Sequence, residues 1–97
     1  MAWRLTRAAE TDLIEIFIHG VASFGVEQAE RYHDLLAHCF DFLAENPEAA
    51  RERDEISPPV RIHPIRSHLV IYRLQAGGDI EIIRVRHAHE DWLTDGI

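Results

Sequence analysis

Val60–His89, VRIHPIRSHLVIYRLQAGGDIEIIRVRHAH, reads as three strands in succession. Val60–Ile65 is interrupted at Pro64, Ser67–Leu74 is rich in β-branched and aromatic residues, and Asp79–Arg86 alternates apolar with polar. Between the last two strands lies Ala76-Gly77-Gly78-Asp79, whose glycines supply the positive φ of a tight hairpin, so these strands are expected to pair antiparallel. Side chains two apart share a face of a strand. On unbroken alternation, one face collects Val60, Ile62, Val70, Tyr72, Ile83 and Val85. The other collects Arg61, His63, Leu69, Ile71, Arg73, Ile80, Ile82, Arg84 and Arg86. The first set reads as a core. The second mixes aliphatics with guanidinium groups, which suits either a face covered by another chain or a solvated face carrying exposed isoleucines. A stripe of apolar residues, rather than scattered ones, favours the covering chain.

The rest of the chain supplies what packs on the first face. Ala2–Leu5 is expected to be a short strand, and Thr6 an N-cap. From Arg7 to Phe24 the residues Ala9, Leu13, Ile16, Phe17, Val21 and Phe24 recur at helical spacing, while Ile14 and Ile18 form a second stripe. Gly25 ends this helix. A second helix, Val26–Glu45, carries Ala29, Tyr32, Leu36, Cys39, Phe40 and Leu43 on its apolar side and stops at Asn46-Pro47. The connection at Gly25 is so short that the two helices form an antiparallel hairpin. Glu48–Ile56 reads as a helical turn followed by loop, and Glu90–Leu93 as a last turn with Trp92 tucked back onto the body. The expectation is a single α+β domain over residues 1–97: an N-terminal strand, then a helical hairpin on one face of a small antiparallel sheet, in the order β-α-α-β-β-β.

Charge narrows the function classes. The formal net charge is −7, whereas binding through phosphate contacts favours a basic balance. All ten basic residues are arginines, and the sheet-forming half carries many of them, which points to a local protein partner rather than to direct nucleic-acid binding. The one cysteine, Cys39, falls on a core stripe and excludes an internal disulfide, which fits a reducing compartment. With no apolar run of spanning length and no leader pattern, a cytoplasmic protein without membrane contact is expected.

Seven histidines raise the question of metal. His87-Ala88-His89 has a spacing that places both imidazoles on one side of a strand, yet no third ligand stands at matching spacing, so neither metal nor cofactor is expected. His63 and His68 read as partly buried strand residues with one hydrogen bond each. A base such as His87 with Arg66, Arg84 and Arg86 around a phosphate is chemically able to cleave RNA, though residue types alone establish no more than that. Gly77-Gly78 is followed by no helix and is not a phosphate loop.

Arg66-Ser67-His68-Leu69-Val70-Ile71-Tyr72-Arg73, Ile82-Ile83-Arg84-Val85-Arg86-His87 and Asp91-Trp92, together with the connection PEAARERDEI, resemble the ParE branch of the RelE/ParE type II toxin superfamily over nearly the whole chain. The resemblance implies a toxin of a plasmid-stabilisation type, held inactive in a hetero-oligomer by a cognate ParD-like antitoxin. It implies an antitoxin segment lying across the sheet and beside the helical hairpin, with Arg61, Arg73, Arg84 and Arg86 pairing its carboxylates. Leu69, Ile71, Ile80 and Ile82, with Ile14 and Ile18, would receive its apolar residues. ParE-like members are associated with poisoning DNA gyrase, and RelE-like members with ribosome-dependent mRNA cleavage. The sequence has no lysine-rich equivalent of the nuclease connection and His68 where the nuclease branch tends to carry arginine, so only Arg84 and His87 carry over as nuclease residues. Gyrase inhibition is therefore the expected activity, with His87, His89 and Trp92 as the target-contacting guess; mRNA cleavage or an inactive antitoxin-binding paralogue are the alternatives.

Overall fold

In the computed structural model, which describes residues 2–88, the helices form where their patterns place them. Helix α1 spans Arg7–Phe24 and α2 spans Val26–Glu45, separated by Gly25 alone at φ 92°. Thr6 caps α1, its hydroxyl accepting from the Ala9 N–H at 3.0 Å. The hairpin packs closely at Gly20, where an added Cβ would stand 3.3 Å from the Ala29 Cβ.

Five strands make one mixed sheet: β1 (Trp3–Leu5), β2 (Glu52–Arg53), β3 (Val60–Ile65), β4 (His68–Leu74) and β5 (Ile80–His87), in the order β1-β5-β4-β3-β2. The β3-β4-β5 meander is antiparallel as expected, and β1 adds to β5 in parallel. Two details depart from the sequence reading. The charged connection contributes a strand, β2, paired with the start of β3 rather than a helical turn. Pro64 does not break β3; beyond Arg61 that strand is an edge of the sheet, where a missing N–H costs no ladder bond.

The face assignment is corrected at two places. First, β3 and β4 are joined by Arg66-Ser67 alone, which sets Ile62 opposite Ile71 and His63 opposite Val70. Val60 and Ile62 therefore lie on the side away from the helices, and Arg61 and His63 face them. Second, a bulge opposite Ile71 inserts one residue into β5, so that Tyr72 pairs with Ile82 and Val70 with Val85. Ile80 and Ile82 turn into the helix-side core with Val70, Tyr72 and Val85, and Ile83 turns out.

That core joins Ala9 and Leu13 of α1 to Leu36, Cys39, Phe40 and Leu43 of α2. Cys39 is a packed thiol whose pKa burial pushes up, in keeping with its expected inert role. Phe24, expected on the same stripe, is exposed. On the far face a smaller cluster forms, with Ile56 of the 54–59 connection lying on Val60 and Ile71. Tyr72 is fully buried and its hydroxyl donates to the Pro47 carbonyl at 2.8 Å. Tyr72→Phe is expected to lower unfolding free energy by about 1–2 kcal/mol in urea titration, since it orphans that carbonyl without opening a cavity. Among the described residues no helix is long and apolar enough to cross a membrane.

Candidate functional site

The bulge in β5 is held by α1. Asp12, on the flank of the α1 core stripe, accepts from Arg84 Nε at 2.7 Å, from Arg84 Nη2 at 2.9 Å and from the Val85 N–H at 2.9 Å. Its side chain is 9% exposed and that of Arg84 23%. Thr6 completes the attachment by donating its hydroxyl to the Ile83 carbonyl at 2.7 Å. A bulge leaves ladder groups without their strand partners; here a carboxylate and a hydroxyl from the start of α1 take two of them.

Beside this attachment a groove of about 1020 Å³ runs between the helical hairpin and the ends of β4 and β5. Ile16, Phe17, Ala29 and Leu36 make its apolar wall. Its polar lining is unlike the rest of the chain. Among the described residues Arg31, Arg66, Arg84 and Arg86 and the histidines His19, His33, His68 and His87 line it, with two carboxylates, Asp12 and Glu15. Asp12 is already engaged by Arg84, so among the described residues basic side chains outnumber carboxylates in the groove lining. Low-dielectric walls concentrate such a field and steer anionic groups toward it.

At one end of the groove three aromatic groups are in series. The Tyr32 hydroxyl and His68 Nδ1 are 2.6 Å apart, and the His68 and His87 rings, on directly paired residues of β4 and β5, stand 5.4 Å apart edge to face. Burial pushes the Tyr32 pKa up, outweighing the Ser67 hydroxyl and the Arg66 charge that pull it down, so the residue remains a phenol at neutral pH. Arg66 projects from the β3–β4 turn at φ 55°, a left-handed conformation that costs a non-glycine residue about 1–2 kcal/mol.

The expected antitoxin-contacting residues separate into distinct settings. Arg84 and Arg86 line the groove. Arg61 lies elsewhere, donating to the Ala50 carbonyl at 2.6 Å, and Arg73 pairs across strands with Glu81 at 3.1 Å. Ile71, Ile80 and Ile82 are wholly buried in the chain's own cores and offer no open surface; Leu69 is half-buried. Ile14 and Ile18 are 59% and 62% exposed, in keeping with the spare stripe read from the sequence. Of the target-contacting guesses, His87 lies in the groove, while His89 and Trp92 are outside the described residues, as is the expected turn over Glu90–Leu93. Among the described residues no group of three or more metal-ligating side chains forms. Asp12, Tyr32 and His33 were not among the sequence candidates. Asp12 carried a usable signal: it sits one turn from Ala9 and Ile16, at the edge of the buried stripe, where a solvated carboxylate is out of place.

Residues 3–92 match the family described as ParE toxin of type II toxin-antitoxin system, parDE. Toxin ParE1 of Mycobacterium tuberculosis is 39% identical over 87 residues, covering 90% of this chain and 89% of that one. Toxin ParE1 of Caulobacter vibrioides is 35% identical over 85 residues, covering 88% and 86%. A solved chain of the chromosomal ParDE TA system from P. aeruginosa superposes with a TM-score of 0.77 at 27% identity, covering 92% of this chain and 97% of that chain.

Proposed function

The chain belongs to the ParE toxin family of type II toxin–antitoxin systems, and from that premise we propose that it is a cytoplasmic toxin that poisons DNA gyrase and is neutralised by a cognate ParD-like antitoxin. The observation that carries the antitoxin reading is the cationic groove in a chain of net charge −7. An acidic segment lying in the groove meets Arg31 and Arg66, whose guanidinium groups suit carboxylates. The same α1 helix supplies apolar anchors. Glu15 and His19 form the groove rim, and helical geometry places Ile14 and Ile18 next to them on the outward face. A segment leaving the groove over that rim buries its own apolar side chains on the two isoleucines.

Gyrase is favoured over RNA cleavage by charge and by Arg84. The chain contains no lysine and is acidic overall. Arg84, the arginine a nuclease reading needs, is engaged by the Asp12 carboxylate through two hydrogen bonds. Induced expression is expected to cause filamentation with protein synthesis continuing, reversed by co-expression of a cognate ParD-like antitoxin. Arrest of translation with cleaved mRNA in the presence of ribosomes contradicts the gyrase reading.

The anchoring role of α1 makes a separate prediction. Ile14→Glu with Ile18→Glu leaves stability within about 0.5 kcal/mol per site, because both side chains already face water. Antitoxin affinity, measured by titration calorimetry, falls roughly 100-fold, since two aliphatic anchors contribute about 1.5 kcal/mol each.

A further inference from the structure

We infer that Arg66 is a partner-binding residue kept at a cost in folding stability: the β3–β4 turn sets its guanidinium at the groove to grip a carboxylate of the antitoxin, in a backbone conformation that glycine would adopt more easily. The inference rests on the proposed antitoxin reading and names the residue that the fold reserves for it.

Arg66 and Ser67 are the whole connection between β3 and β4, closed by the pair Ile65 and His68. Of the two turn residues only Arg66 has a positive φ, 55°. That pattern belongs to a two-residue hairpin turn whose first central position is ordinarily glycine, which reaches it without a Cβ clash. The turn is held in place from two sides. The Ser67 carbonyl accepts from the Ala88 N–H at 2.8 Å, and the Ser67 hydroxyl stands beside the Tyr32 phenol of α2, itself 2.6 Å from His68 Nδ1. Strain of this kind persists where the surroundings over-determine the backbone.

Among the described residues the fold makes no use of the side chain in return. Arg66 is exposed, and its guanidinium makes no hydrogen bond or ion pair there. It lines the groove together with Arg31, which is already bonded to Glu27 at 3.1 Å. A glycine or asparagine at this position would relieve the backbone and lose nothing within the chain. What an arginine adds is a planar fork that pairs a carboxylate through two parallel hydrogen bonds. A nucleic-acid phosphate fits the same fork, but the chain's net charge of −7 disfavours approach of a polyanion.

Thermal melting of the full chain alone, paired with calorimetric titration against its cognate ParD-like antitoxin, reads stability and binding separately. Arg66→Gly is expected to raise Tm by about 4 °C, since relief of the turn outweighs the extra freedom glycine has in the unfolded chain. The same variant weakens Kd about 30-fold, the loss of a charge-assisted pair. It also flattens the dependence of Kd on salt between about 50 and 300 mM. Arg66→Lys keeps both the charge and the strained turn, so Tm stays within about 1 °C and Kd weakens only about fivefold. Arg4→Gln removes the same unit charge from an exposed arginine outside the groove lining and leaves Kd within about twofold. An unchanged Kd or a lowered Tm in Arg66→Gly, or an equal loss of affinity in Arg4→Gln, overturns the inference and leaves the proposed function standing. Absence of antitoxin binding by the parent chain overturns the proposed function and the inference with it.

Discussion

Asp12→Ala is expected to lower the unfolding free energy by about 3–5 kcal/mol, the largest loss from any single substitution outside the apolar core. The carboxylate receives three hydrogen bonds, two from Arg84 and one from the Val85 N–H. Removing it takes two hydrogen bonds and a counter-charge from a guanidinium that is 23% exposed, and orphans a buried backbone donor at the bulge. Truncating one partner of a buried charge pair costs far more than the pair itself contributes, because the remaining charge has lost its compensation. Asp12→Asn keeps an acceptor for the Val85 N–H but loses the charge, so about half the loss is expected. Arg84→Met in the Asp12→Ala background recovers part of it, and a double-mutant cycle in urea reads the coupling directly. For a domain of this size each kcal/mol lowers Tm by roughly 4–8 °C, so a fall of more than about 10 °C accompanies Asp12→Ala. A fall of only 1 °C or 2 °C would show that the bulge holds without its carboxylate.

Phe40→Ala is the second large loss, again about 3–5 kcal/mol, by a different mechanism. The ring is 1% exposed and meets Trp3 edge to face, with centroids 5.1 Å apart. Trp3 in turn donates its indole N–H to Asp41 at 2.8 Å. The pair ties α2 to β1, the strand that joins the sheet in parallel through only three residues. Truncation opens a cavity at that joint and removes an aromatic contact worth about 0.5–1.5 kcal/mol beyond its area. Hydrogen exchange at the Thr6 and Ile80 amides, which donate to Ile82 and Ala2, is expected to accelerate more than exchange in the β3–β4 ladder.

Both helices were legible in the sequence because their signals are local. Thr6, Gly25 and Asn46-Pro47 mark the ends, and the apolar spacing marks the faces. The antiparallel meander was legible for the same reason, through Gly77-Gly78. What escaped was register, which depends on counting residues between strands. With only Arg66-Ser67 in the turn, Ile62 must oppose Ile71, and the β3 faces invert relative to a reading that lets the strands continue in phase. Arg66 hid the turn, since a left-handed arginine carries no glycine signal. In β5 the warning was Ile82-Ile83 followed by Arg84-Val85: apolar residues at 80, 82 and 85 cannot share a face unless one residue is extra.

The site shifted with the register. Arginines grouped on one face by parity instead serve different roles, with Arg61 and Arg73 closing the chain's own structure and Arg84 and Arg86 lining the groove. The groove itself brings α1, α2, β4 and β5 together, so no single stretch of sequence displays it. What composition did convey was the contrast it is built on, an acidic chain whose positive charge is confined to arginine.

The direct test of the central claim is a supercoiling assay with purified gyrase, run with the toxin alone and with antitoxin added first. Accumulation of cleaved DNA by the toxin, abolished by stoichiometric antitoxin and restored by Ile14→Glu/Ile18→Glu in the toxin, is the predicted result. Unchanged gyrase turnover at toxin concentrations that arrest growth would contradict it.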